Sequence, residues 1–295
     1  MGIVHPLGWG GAGGKVGKRR WERPRNILTA RETRQTDAQT PMSSHSSPGN
    51  PVSAGPGENG DARAVDHGPS RPFLACLLPL VVFLGFGTLE PTAGEPANWL
   101  GLGDGDYPLL YSVRILASLV ALAIVARDIL PWLGRPTWWP PLLGVGLVIP
   151  WIVLAALQRE AGWASLGTRV AFDPFRPFLG ETWGWAFLAV RFTGLVLVVP
   201  VAEELFLRGF LMRYVVSERF WEVRFGTLTA AAVVACTAYA VLTHPDEAIA
   251  AAGWFGIVSG VTAATRRPID AITTHAATNL ALGLYVVSTG AWWLW

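Results

Sequence analysis

Gly194-Leu195-Val196-Leu197-Val198-Val199-Pro200-Val201-Ala202 runs directly into Glu203-Glu204-Leu205-Phe206-Leu207-Arg208. The first nine residues read as membrane helix. The next six put three charges into less than two helical turns. Each costs about 2.5–3.5 kcal/mol near a bilayer centre on insertion scales. Ionisable groups at such a depth mark a functional site whose partners lie elsewhere in the bundle. This one stretch therefore decides the class of fold and the place to look for chemistry.

The surrounding sequence agrees. Mean hydropathy is +0.36, charged residues make up 15% of the 295-residue chain, and there are 15 Trp, a membrane-protein composition. Apolar segments fall at about 73–89, 108–126, 138–157, 184–202 (continuing helically to about 214), 227–243, 248–264 and 269–288. Most approach the length of about 17–25 residues that crosses a bilayer as helix. Backbone groups in lipid must be satisfied internally, so the expected fold is all-α. It is a polytopic transmembrane helical bundle of about seven spans, occupying 71–295. Pro150 and Pro200 are interior to their segments and are expected to kink them.

Residues 1–70 differ. They hold nine Lys/Arg against six Asp/Glu, are rich in Gly, Pro and Ser, and show no apolar periodicity, so a disordered tail is expected. Lys18-Arg19-Arg20 reads as solvated, with contact to anionic headgroups the lesser option. No apolar run follows the basic residues before about position 73, which argues against a signal peptide; Met42 is an alternative start. With a net charge of +2 and no basic stripe outside the tail, nucleic acid is not an expected partner. Cys76 and Cys236 lie in apolar runs and read as small buried hydrophobes, not as a disulfide or a metal pair.

Basic residues follow the second, fourth and sixth segments (Arg127 and Arg135; Arg213, Arg219 and Arg224; Arg266 and Arg267), while Glu90, Glu95, Asp104, Asp106, Asp246 and Glu247 occupy alternate loops. The positive-inside rule then gives a cytoplasmic N-terminus and an external C-terminus for an integral membrane protein. Trp292, Trp293 and Trp295 are expected as an interfacial anchor. Gly256 and Gly260 have GxxxG spacing and are expected to pack closely within the fold, with dimerisation the weaker option.

Of the five histidines, only His244 and His275 lie in the apolar part, both downstream of the carboxylates. Asn279 stands four residues after His275, on the same helix face. Glu204 and Arg208, also four apart, are expected to pair, which leaves Glu203, rotated by about 100°, as the carboxylate that holds and deprotonates water. His244 would share that proton; His275 and Asn279, as donors, would stabilise the oxyanion formed at a peptide carbonyl. By segment counting, His244 falls near the outer end of its span, away from Glu203 and His275, so the fifth segment must be displaced or the boundaries shifted. Other readings stay open. Glu203, His244 and His275 also admit a two-His, one-carboxylate Zn²⁺ site, although neither His lies in an HExxH pattern. Taken singly, Glu204–Arg208 reads as a structural ion pair and Asn279 as an interhelical hydrogen-bonder. A proton-coupled carrier would use similar residues, but no inverted repeat is visible.

Glu203-Glu204-x-x-x-Arg208, then His244, then His275-x-x-x-Asn279, resemble in order and spacing the motifs of the CPBP family, the CAAX proteases and bacteriocin-processing enzymes. The resemblance covers about 184–290. It implies a glutamate-type intramembrane endopeptidase, with Glu203 and His244 activating water, His275 and Asn279 supporting the oxyanion, and Glu204 and Arg208 supporting the site. It implies a membrane-associated protein or peptide as substrate, in the setting of the lipid bilayer. The region from 71 to the Trp-rich end is also similar to CAAX-protease-related proteins of bacterial exosortase sorting systems. In one respect the chain departs from the pattern: the family's second motif usually has Phe four residues before its His, where Ala240 stands here, beside Tyr239. The alternative function is a non-proteolytic scaffold or maturation factor of a sorting system.

Overall fold

The computed structural model describes residues 68–91, 100–162, 171–175 and 180–295, with the Asp104 side chain excepted. The expectation for the tail concerns residues almost all outside this set. Among the described residues there is no strand; the chain forms seven helices. They are α1 (Pro72–Gly87), α2 (Tyr107–Leu133), α3 (Trp139–Glu160), α4 (Gly180–Tyr214), α5 (Ala230–Thr243), α6 (Ala248–Thr265) and α7 (Pro268–Thr289). Each falls on one of the seven apolar segments. By length and apolarity alone, α2, α3, α4 and α6 (from Pro245) qualify to cross a membrane, whereas α1 and α5 are shorter.

Polarity is distributed as a bilayer requires. Leu109, Leu116, Leu130, Leu142, Ile149 and Leu242 lie exposed on the outside, each more than 60% accessible, while Glu203, Glu204, Arg208, Arg213, Glu247 and Asp270 are buried. In water such an apolar exterior would be a large unsatisfied patch. In lipid it is the favoured surface, and charges retreat to the interior where they find partners. The chain is a helical membrane bundle.

Two prolines shape the helices that carry the site. Pro150 lacks the N–H that would close the preceding turn, and α3 breaks at Leu147 between Trp139–Gly146 and Val148–Glu160. In α4, π-helical turns at Gly194–Val198 and Leu205–Leu211 flank the α-helical Val199–Glu204, which contains Pro200. A wider turn absorbs the carbonyl that Pro200 leaves without a donor, and such turns gather at functional sites.

The close helix contacts are not where the GxxxG spacing suggested. A Cβ built on Gly253, Gly256 or Gly260 meets nothing within 4 Å. These residues lie on the outer side of α6, because its buried side, with Ala251, Trp254, Phe255 and Val258, faces the bundle. The tight crossings are elsewhere. At Gly144, a Cβ would collide with the Thr274 carbonyl, bringing the α3 backbone against α7; at Gly209 it would lie 3.1 Å from Cys76 Sγ, where α4 meets α1. Both cysteines are free and buried.

Polar ties fix the ends. Arg71 Nε and Nη2 donate to Asp128 Oδ2 at 3.0 and 2.6 Å, joining the start of α1 to α2. Arg213 donates to the carbonyls of Gly209, Trp221 and Val223, clamping the loop after α4. Asp270 accepts from the Thr137 backbone N–H at 2.7 Å and from its hydroxyl, holding the α2–α3 loop on α7. The expected interfacial anchor is half corrected. Trp292 and Trp293 are partly exposed, but Trp295 is buried, its ring 5.9 Å from Phe192. The short turn Trp292–Leu294 folds it back into the bundle.

Candidate active site

A cavity of about 530 Å³ opens inside the bundle, and Glu203, His244, His275 and Asn279 all line it. Three helices deliver them. The α-helical segment between the two π turns of α4 carries Glu203. The face of α7 that begins with His275 continues through Thr278 and Asn279. His244 caps the C-terminal end of α5, where the chain turns into Pro245–Glu247. The difficulty raised by counting is met by packing: His244, just past the end of α5, lines the same cavity as Glu203 and His275.

Behind the cavity wall lies a connected charge network. Arg208 Nη1 donates to Glu204 Oε1 at 3.1 Å, as the four-residue spacing predicts, and Nη2 donates to the Phe255 carbonyl at 3.0 Å. Glu204 Oε1 also lies 3.0 Å from His275 Nδ1. If Glu204 is ionised beside its arginine, Nδ1 carries the proton and donates it. The other ring nitrogen then points to the second carboxylate: Nε2 stands 4.0 Å from Glu203 Oε2. His275 thus bridges two glutamates of unlike surroundings, one held by a guanidinium, the other without one.

Glu203 is held loosely. The Tyr239 hydroxyl donates to its Oε1 at 3.5 Å, and its Oε2 has no hydrogen-bond partner among the described residues. Tyr239 is a site residue that the sequence reading placed only as a neighbour of the missing Phe. It stands five residues before His244, which was the available signal. Ala240, at the departed position, is wholly buried in the core, and the Tyr239 ring packs at 5.4 Å on Phe206. Trp254 is the other residue missed: its ring stands edge-on to His275 at 4.6 Å, and its indole N–H donates to Thr278 Oγ1 at 3.1 Å.

His244 and Asn279 are oriented by backbone. His244 Nδ1 lies 3.2 Å from the Ala240 carbonyl and 3.0 Å from Thr243 Oγ1, and its ring meets Trp151 edge-on at 5.8 Å. Asn279 Nδ2 donates to the Leu195 carbonyl at 2.8 Å, inside the first π-helical turn of α4. Among the described residues, no three His, Cys, Asp or Glu side chains gather as a metal-holding group. The Zn²⁺ arrangement of Glu203, His244 and His275 is therefore not assembled in this geometry.

Glu203, His244, His275 and Asn279 thus face one internal cavity of a helical membrane bundle. Residues 184–281 match the family model described as type II CAAX prenyl endopeptidase Rce1-like, a family of membrane proteases. The match takes in Glu203, Glu204, Arg208, Tyr239, His244, His275 and Asn279. It does not reach the exosortase-associated subgroup. No curated protein and no solved structure matched the chain.

Proposed function

We propose that this protein is a glutamate-type intramembrane endopeptidase, hydrolysing a peptide bond of a membrane-associated protein or peptide through water activated by Glu203. The observation that carries the reading is the pairing of Glu203 and His275 across the cavity wall. A gap of 4.0 Å is too long for a direct hydrogen bond and short enough for one water to touch both groups. Glu203 Oε2, without a hydrogen-bond partner among the described residues, is free to accept from that water. Glu204, paired to Arg208, orients the His275 ring through Nδ1, so that Nε2 faces the reacting water and, once it too carries a proton, donates to the developing oxyanion.

His244, lining the same cavity, orients the water whose proton Glu203 takes. Asn279 is the second oxyanion donor. An amide nitrogen carries two N–H groups, so the bond to Leu195 aligns one and leaves the other for the substrate. Water attacks the carbonyl carbon, its proton passes to Glu203, and the same proton is returned to the leaving amine. The lipid bilayer supplies the setting, and a bacterial sorting or maturation pathway is the proposed context.

The deciding experiment compares membrane-protein termini by mass spectrometry in cells with wild-type protein or Glu203→Gln at matched levels. Termini present only with wild type support the hydrolase. Identical termini, with a sorting defect on deletion, would replace it with the scaffold reading.

A further inference from the structure

The end of the cavity away from Glu203 holds a buried cation that the proposed mechanism does not use. Arg191, on α4, is 7% exposed, and the residue lines the cavity. One hydrogen bond holds it: Nη1 donates to the Tyr107 hydroxyl at 2.5 Å. Among the described residues its Nε has no hydrogen-bond partner and no carboxylate lies within ion-pair distance of it. The guanidinium instead sits over the rings of Trp295 and Tyr111, at 4.8 and 5.3 Å. Nearby Arg114 is different: it pairs directly with Glu90 at 3.0 Å, and that carboxylate acts on Arg191 only at longer range. Trp295 also lines the cavity, and its indole N–H is a second buried donor without an acceptor. Two unpaired donors on facing side chains, one of them charged, describe a site for an anion. With one carboxylate, Glu90, to two guanidiniums, the interior keeps an excess positive charge that an anion would balance.

We propose that Arg191, with the Trp295 indole beside it, is an anion subsite that takes a carboxylate of the substrate, at a distance from Glu203 set by α4. The inference rests on the peptidase reading for the word substrate. Twelve residues separate Arg191 from Glu203 on one helix, about 18 Å at the usual rise. An extended peptide covers that in about five residues. The subsite therefore measures the scissile bond against an acidic group several residues away. The group is either the carboxylate ending a chain or an acidic side chain.

The test measures binding without turnover, on the full chain carrying Glu203→Gln in phosphatidylcholine nanodiscs. Titration calorimetry compares three acetylated apolar hexapeptides: one with a free terminal carboxylate, one with a terminal amide, and one amidated with Glu at its last position. At least one of the two carboxylate peptides is expected to bind at least tenfold tighter than the neutral one, and which one identifies the source of the anion. Adding Arg191→Met should erase the preference and leave affinity for the neutral peptide within twofold. Equal affinities on the Arg191 protein, or a preference that survives Arg191→Met, overturn the proposal. If Arg191→Met fails to fold, the three peptides on the Arg191 protein decide alone. A protein that prefers carboxylates but yields no Glu203-dependent termini overturns only the peptidase reading.

Discussion

Glu203 and Glu204 are adjacent, yet the structure gives them different tasks, and substitutions should separate these. Glu204 shares its Oε1 between Arg208 and His275. Arg208→Ala would strand a buried carboxylate and is expected to destabilise the protein by about 3–5 kcal/mol. The double change Glu204→Gln with Arg208→Met removes both charges and should recover much of that loss, as thermal unfolding in detergent would show. Glu203→Gln is expected to behave oppositely. It removes a charge that no cation holds, so the melting temperature should hold or rise while Glu203-dependent termini vanish. A fall comparable with that of Arg208→Ala would mean that Glu203 is structural. Tyr239→Phe removes the one hydroxyl that reaches Glu203, at 3.5 Å. Since that bond is long, turnover should change by no more than about tenfold, read from the same termini.

At the scale of elements, helix contact is decided by what each glycine faces. Gly144 lies against the Thr274 carbonyl, and Thr278 Oγ1 donates to the Gly144 carbonyl at 2.8 Å. Gly144→Val should force α3 off α7, displace His275, and cost about 3 kcal/mol or more, both in stability and in retention of activity. Gly256→Ala and Gly260→Ala point into open space. They should leave stability unchanged or raise it by about 0.5–1 kcal/mol each, since alanine is the better helix former. A large loss there would show that another surface covers α6. The same reasoning explains α4. Its π turns on either side of Pro200 relieve the missing N–H and set which side of the helix Glu203 presents, a matter of backbone register that apolar patterning does not encode.

For the whole molecule, the exposed apolar exterior and the buried charges together define a membrane bundle, and the basic loops set its proposed orientation. Arg219, in the loop after α4, has a side chain that is 71% exposed, so a cysteine introduced there would be accessible. It should react with a membrane-impermeant maleimide only in inside-out vesicles. Cys76 and Cys236 are buried and should stay unlabelled. Reaction in right-side-out vesicles would reverse the cytoplasmic placement of the N-terminus.

The sequence by itself determined the all-α membrane class, the seven apolar segments and the pairing of Glu204 with Arg208. Hydrophobic length and four-residue spacing are local properties, readable without a fold. It also supplied Glu203, His244, His275 and Asn279 as one set, because charges and imidazoles are rare among apolar residues. Only the tertiary structure decided that His244, at the end of α5, reaches the cavity, and that His275 bonds Glu204 while facing Glu203. It alone turned Gly256 and Gly260 outward and folded Trp295 inward onto Arg191. These depend on which helix faces which. Contacts between residues distant in the chain arise from packing the whole bundle, and the pattern of any single segment does not contain them.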